Sequence, residues 1–353
     1  MKMETMKAAR IFGPGDMRVV EMPIPELRSH DVLCKVVRSG ICGTDYAIYS
    51  GEFSFVRSGA IKFPMTPGHE WSGVVAQAGA EVTRLKPGDR VVGDTAVSCG
   101  ACNKCLLGAY YDCDDIHSVG TVNTWDGAYA EYIVMPDRHL FPLPESVSFD
   151  NGALVEPAAT ALSAVVKAEV KLGDTVLVHG SGPIGIMAGK LAKLSGAAKV
   201  VITGRKDSKL KAALALGIDA AVNTTREPWA EAVRGHAGAY GVDRVIEASG
   251  STELLKESFA LVKQGGVVSA VAFYERPVEV LDVDRLVFGN LALRGSAGSL
   301  GTYPVILKLM DLGLLDFGSL ITGRYQLDRV GQAMTDMKDK NETRIKLMLD
   351  MAG

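Results

Sequence analysis

Apolar and polar positions change rhythm near residue 150. Before that point, short β-rich runs at 32–37, 71–77 and 90–92 are punctuated by Pro23, Pro25, Pro64, Pro67, Pro87, Pro136, Pro142 and Pro144. Short strands broken by turn residues predict a small antiparallel barrel or sandwich. Beyond residue 150, strand runs alternate with Ala-, Leu- and Lys-rich helical runs, as in βαβ units on a parallel sheet. One unit reads clearly: a buried strand at 175–179, a turn at 180–185, a helix at 186–194, a strand at 200–203 and a helix at 206–216. Later strands are predicted at 243–247 and, after Gly265-Gly266, at 267–271. Helical segments at 305–313 and 330–338 and an apolar strand at 345–349 close the chain, while Arg324 and Tyr325 fall where the pattern predicts nothing.

Length and composition narrow the class. At 353 residues the chain is long enough for about two domains. Its 47% hydrophobic and 22% charged content exclude wholesale disorder, and a net charge of −3 argues against a nucleic-acid partner. The start, Met1-Lys2-Met3-Glu4, carries charges and no apolar signal region, and no apolar run of about 18 residues exists to enter a membrane. A cytoplasmic enzyme is expected, where clustered thiols bind metal rather than form disulfides.

Two patterns carry chemistry on their own. Gly180, Gly182 and Gly185, with Pro183 and Ile184 between the last two, form G-x-G-x-x-G directly after a predicted strand. Such glycines allow a tight turn, close backbone approach and close packing, with a pyrophosphate at the helix N-terminus. The acidic residue that would bind the 2′-OH of NAD is expected near 203–205, but Thr203-Gly204-Arg205 stands there. Gly204 leaves space, and Arg205, Lys206 and Lys209 supply positive charge, which favours the 2′-phosphate of NADP over NAD. The second pattern is Cys99-x-x-Cys102-x-x-Cys105 with Cys113 eight further on. Four thiolates in a loop spanning 98–114 suit a closed structural zinc site.

A third constellation is dispersed. Cys42 in Gly-Ile-Cys-Gly-Thr-Asp, His69 and Glu70 in Pro-Gly-His-Glu, and Glu156 in Val-Glu-Pro could make a Cys/His/carboxylate zinc site with one open position. Together with Lys-Pro-Gly-Asp-Arg-Val, Gly-Ala-Tyr-Ala-Glu-Tyr and Gly-Ser-Gly-Pro-Ile-Gly, these motifs resemble the zinc-containing medium-chain dehydrogenase family over nearly the whole chain. The resemblance implies an α/β protein: a GroES-like β-barrel catalytic domain from 1–157 and 295–353, a Rossmann doubly wound sheet from 158–294, and homodimers or homotetramers. It implies two zinc ions per chain. Cys42 and His69 take the catalytic ligand places, and either Glu70 or Glu156 takes the third. Asp45 resembles the carboxylate that orients the ligand His, and Thr44 the hydroxyl that receives the substrate proton.

Glu156 stands where alcohol dehydrogenases of the family carry Cys, which resembles the polyol and threonine dehydrogenase branch. Two positions depart from the pattern. Ala47 replaces the His that ends the proton relay in many members, and residues 93–98 lack the His that threonine dehydrogenases tend to carry there. The expected reaction is reversible hydride transfer between NAD(P) and a secondary alcohol of a polyol, sugar alcohol or sugar derivative, giving a ketone. An NAD-linked alcohol or amino-alcohol dehydrogenase is the alternative, and a metal-binding scaffold without turnover is the reading from another class. Tyr46, Phe53, Phe55, Trp71, Phe273 and Tyr274 are candidates for the substrate pocket, although aromatics at such positions are more often core.

Overall fold

The computed structural model describes residues 5–123, 125–226, 228–275, 277–279, 282–299, 301–339 and 342–351. It divides into two compact units: Met1–Glu156 with Tyr303–Asn341 and Lys346–Gly353, and Pro157–Thr302 with Glu342–Ile345.

The first unit is built on a sheet ordered Ile321–Gln326, Lys346–Asp350, Asp31–Ile41, Glu70–Ala78, Arg90–Gly93 and Leu140–Pro142. Tyr132–Pro136 also pairs with Asp31–Ile41. That central strand is therefore covered along its length, and Val32, Cys34, Val36 and Ile41 lie in the main core cluster with Trp71, Val75, Val91, Ile133 and Met135. A separate hairpin, Thr5–Gly13 with Asp16–Pro23, was not legible as strands. The sheet is not wholly antiparallel. Ile321–Gln326 and Lys346–Asp350 run parallel, joined through the helix Val330–Lys338, which gives Arg324 and Tyr325 their place on a strand. Parallel strands need such a crossover.

The second unit carries six parallel strands in the order Ala220–Asn223, Lys199–Gly204, Thr175–His179, Val242–Glu247, Val262–Ala270, Ala292–Gly295. In chain order this is 3-2-1-4-5-6, the doubly wound arrangement that binds ligands where the strand order reverses. The inner strands Thr175–His179 and Lys199–Gly204 are buried on both faces, so they read as largely apolar runs rather than alternating ones, whereas the edge strand Ala292–Gly295 is partly exposed. The strand expected at 267–271 starts earlier, at Val262, because Gly265, at φ +74°, and Gly266 are absorbed as an irregularity in its pairing with Val242–Glu247.

The unit boundaries also differ from the 157/158 and 294/295 expectation. Residues up to Thr302 belong to the second unit, since Ser296 N–H donates to Ala270 O at 2.9 Å and Thr302 Oγ1 to Ala159 O at 2.9 Å. Residues 342–345 return to it as well.

The first unit's late strands are fastened by charge. Arg38 on the central strand donates to Asp150 at 2.9 Å and lies 3.1 Å from Asp350, while Arg324 pairs with both carboxylates. Partial burial would raise the Asp150 carboxyl, but Arg324 and Arg38 outweigh it and hold it below the usual range. A lowered carboxylate contributes stability above its unfolded pKa and loses it as pH falls through the folded value. Asp150→Asn is expected to cost about 1 kcal/mol at neutral pH, with the gap from wild type closing below about pH 4, as measured by denaturant titration.

Candidate active site and metal centres

Gly40 sits opposite Glu70 across the strand pair, and Met348 is opposite Gly40 on its other side. A Cβ on Gly40 would meet Glu70 Oε2 at 2.1 Å, so only glycine leaves room for the carboxylate. Glu70 is 1% exposed and Lys346 3%. Lys346 Nζ lies 2.5 Å from Glu70 Oε1 and pairs with Oε2 as well. Burying either charge alone would be costly, and each answers the other.

Cys42 precedes the helix Gly43–Ser50. Its N–H donates to Asp45 Oδ2 at 2.8 Å, and Tyr129 O–H donates to the same oxygen at 2.8 Å. Asp45 Oδ1 faces His69 Nδ1 at 3.4 Å, which leaves Nε2 as the nitrogen the ring can offer a cation. Tyr129 reaches this point because its ring packs on Gly68, where a Cβ would meet it at 2.3 Å. Burial would raise the Asp45 carboxyl, but the nearby His69 charge, the Cys42 N–H and the Tyr129 O–H together lower it. Burial would lower the His69 imidazole, yet Asp45 and Cys42 hold it well above its ordinary value. Thr44 is half-buried on the first turn of the helix.

Ligand atoms of Cys42, His69 and Glu70 all lie within 4.8 Å of one another. A half-buried thiol gathered with a buried imidazole and carboxylate is the donor set of an open zinc site. Glu156 is not in that triplet. It sits on the first turn of the helix Val155–Lys167, 8% exposed, and accepts from Thr95 Oγ1 at 3.1 Å. Burial pushes its carboxyl up to about 7, with Glu70 raising it further and His69, Lys346 and Thr95 opposing.

The four remaining candidate thiols converge. Sulfur separations are 3.9 Å for Cys99–Cys105, 3.5 Å for Cys102–Cys105 and 3.9 Å for Cys102–Cys113. A tetrahedral zinc with Zn–S near 2.3 Å requires edges of about 3.8 Å. The Cys105 and Asp114 backbone N–H groups bring Cys102 down to about 6, while burial pushes Cys113 up to about 11. Asp94, fully buried, accepts from Tyr110 at 3.1 Å and Tyr111 at 2.5 Å, anchoring the loop to the strand end beside Thr95.

In the second unit the glycine motif fits a dinucleotide. Gly180 has φ +104°, a Cβ on Gly185 would meet Gly180 O at 1.8 Å, and Gly182 borders open space at the N-cap of the helix Pro183–Leu194. Ile184 is half-buried on its first turn. Glu247, fully buried at the end of its strand, accepts from Ser249 N–H at 2.9 Å, from Ser249 Oγ and from Tyr274 O–H. It shapes the turn that lies against Gly180, whose Cβ position is 2.8 Å from Ala248 O. At the second strand's end a Cβ on Gly204 would meet Ser181 Oγ at 2.1 Å and Ser181 Cβ at 2.7 Å, so the space expected at Gly204 is taken up by Ser181. Arg205 is exposed, Lys206 and Lys209 half-buried.

Several pocket candidates are packing residues instead. Trp71 and Phe53 are 1% and 3% exposed and belong to core clusters, and Tyr46 packs beside one. Tyr274 serves Glu247, while Phe55 and Phe273 are exposed. Sequence reasoning missed Lys346, Tyr129, Thr95 and Glu247. The signal for Lys346 was present: one cation inside the apolar run Ile345-Lys346-Leu347-Met348-Leu349.

Comparison with known proteins identifies the family. Residues 28–145 match the alcohol dehydrogenase GroES-like domain, and residues 183–311 match the zinc-binding dehydrogenase domain. The sorbitol dehydrogenase of Bacillus subtilis is 30% identical over 98% of this chain and 97% of its own. The L-threonine 3-dehydrogenase of Symbiobacterium thermophilum is 33% identical over 99% of each. A zinc-binding dehydrogenase from Sinorhizobium meliloti, solved bound to NADP, superposes with a TM-score of 0.90 at 32% identity, covering 99% of this chain and 100% of that one. The chain belongs to the zinc-containing medium-chain alcohol and polyol dehydrogenases, which oxidise alcohols with NAD(P).

Cys102→Ser is expected to remove one zinc per chain and lower the thermal midpoint, measured by metal analysis and calorimetry. Tyr129→Phe leaves Asp45 short of a hydrogen bond and should cost about 1.5–3 kcal/mol, read by denaturant unfolding of the zinc-loaded protein.

Proposed function

We propose that this protein is an NADP-preferring dehydrogenase that interconverts a secondary alcohol of a polyol, sugar alcohol or sugar derivative with the ketone, using one catalytic and one structural zinc. The observation that carries the reading is the convergence of half-buried Cys42 with buried His69 and Glu70. When bound there, zinc supplies Lewis-acid polarisation of the substrate oxygen, and the nicotinamide supplies the hydride acceptor. Cys42, His69 and Glu70 would hold the metal, with Glu156 beside them as the alternative carboxylate. Asp45 fixes the His69 ring, and Tyr129 fixes Asp45. Thr44 would accept the substrate proton. Ala47 has no titratable group, so the proton leaves Thr44 by a route other than side chain 47.

The NADP preference is supported by the Ser181–Gly204 contact. An Asp at 204 would have to displace Ser181, so the carboxylate that selects NAD is sterically disfavoured as well as absent. The cations Arg205 and Lys209 suit a phosphate, and the Sinorhizobium relative was solved with NADP. Gly180, Gly182, Pro183, Ile184 and Gly185 would cradle the pyrophosphate.

We also propose self-association. The strand Ala292–Gly295 lies at the sheet edge, with Leu293 39% exposed, and Val283, Val287 and Phe288 nearby in sequence are 58%, 68% and 82% exposed. Among the described residues no helix is long and apolar enough to cross a membrane. A cytoplasmic setting is supported by the metal-ready thiols, which a reducing compartment keeps unpaired.

Cys42→Ala or His69→Ala should abolish turnover and lower bound zinc from two ions per chain toward one. Near-normal rates after either change would refute the assignment. Arg205→Ala should raise KM for NADPH more than for NADH; equal effects would rule out the NADP preference. A panel of polyols, sugars and hydroxy-amino acids with both coenzymes tests the substrate class.

A further inference from the structure

A cavity of about 210 Å³ lies in the first unit and shares no lining residue with either candidate metal cluster. It is bounded by the strand Thr5–Gly13 at Met6, the segment 25–31, residues 125–127 and the strand Tyr132–Pro136. Two buried polar groups on its lining are left unanswered by the protein. Thr66 is 1% exposed; its N–H donates to Asp126 Oδ1 at 2.8 Å, but its Oγ1 is buried with no hydrogen-bond partner among the described residues. Asp31 is 6% exposed, and its carboxylate accepts the Arg28 backbone N–H at 3.1 Å, with no cation paired to it among the described residues. A buried carboxylate without a counter-ion and a buried hydroxyl without a partner are both costly, and both would be relieved by a positively charged donor.

We infer that this cavity is a binding site for a small organic molecule carrying a primary ammonium group, separate from the catalytic centre and independent of the zinc and coenzyme readings above. The charge balance favours a cation. Glu26, Asp31 and Asp126 are three lining carboxylates against one lining guanidinium, Arg28; Arg10, 3.6 Å from Asp126, adds a second and still leaves one negative charge in excess. A primary ammonium supplies the charge for Asp31 and N–H donors for Thr66 Oγ1 together. A quaternary ammonium has no such donor. A divalent metal ion would need six or so oxygen ligands, which a cavity walled partly by Met6, Trp125 and Ile133 does not offer. Those walls suit an alkyl body, and the Trp125 indole, fixed by its Nε1–H bond to Val134 O at 2.8 Å, adds a ring that attracts cations. Glu26 and Arg28 are exposed and mark the open side. The cavity also adjoins the site's supports through backbone: Gly127 N–H donates to Thr66 O at 2.7 Å and Tyr129 N–H to Pro67 O at 3.0 Å, two residues before His69.

The test is calorimetric titration of n-butylammonium and tetramethylammonium into the full-length, zinc-loaded protein at neutral pH and low ionic strength. Wild type should bind n-butylammonium saturably and more tightly than tetramethylammonium. Thr66→Val removes only the hydroxyl that has no partner in the structure; it should weaken n-butylammonium about tenfold, the worth of one charge-assisted hydrogen bond, and leave tetramethylammonium unchanged. Asp31→Asn keeps an acceptor for the Arg28 N–H but removes the charge, and should weaken both ions at least about tenfold; it decides the matter if the Val variant does not fold. No saturable binding of n-butylammonium by wild type, tetramethylammonium bound as tightly, or wild-type affinity in both variants would overturn the site. Equal loss of both ions in Thr66→Val would overturn the role of its hydroxyl and with it the choice of a primary ammonium.

Discussion

A carboxylate with 1% of its surface exposed must find positive charge within the protein, and Glu70 finds Lys346. Much of the first unit can be understood from that pair. Lys346 arrives on the last described strand, so the chain's end must close the sheet beside the central strand Asp31–Ile41. Gly40 must lack a side chain because the Glu70 carboxylate occupies that space. The central strand then runs directly into Cys42, and Glu70 follows His69, so the same pairing that buries the ion pair brings three donor groups together. The ion pair costs desolvation, and the Arg38, Asp150, Arg324 and Asp350 network helps to hold the strands that deliver it.

Around this pair, each functional group is held by another that does no chemistry itself. Tyr129 packs on Gly68 and holds Asp45; Asp45 holds both the Cys42 backbone and the His69 ring. Thr95 holds Glu156, and its neighbour Asp94 anchors the cysteine loop through Tyr110 and Tyr111. The two candidate metal-binding clusters of this unit thus share one strand end. In the second unit Glu247 plays a comparable part, ordering the turn that lies against Gly180.

Local patterns made much of this legible. Glycines at fixed spacing after a strand, four cysteines in one loop and the alternation of strand and helix runs all arise from interactions within about thirty residues. The strands 175–179 and 243–247 and the helix 330–338 stand within a residue of where the pattern puts them. The hairpin Thr5–Gly13 and Asp16–Pro23 escaped notice because Lys, Arg, Glu and Gly interrupt its alternation, and its order comes from pairing. Trp71 and Phe53 take the commoner of the two readings left open for them, core rather than pocket, because an aromatic side chain looks the same in sequence in either place.

The sequence by itself determined the donor types, the cysteine loop, the glycine cradle and the order of elements, since each is written in residue chemistry and short-range spacing. Only the tertiary structure decided which distant groups meet. It put Lys346 on Glu70 across 276 residues, Glu70 rather than Glu156 in the triplet with Cys42 and His69, and Glu342 against Lys206 and Ser208 at the start of the helix Asp207–Ala215. The reason is physical: strand pairing and charge burial act through space, and chain separation leaves no periodic trace of either.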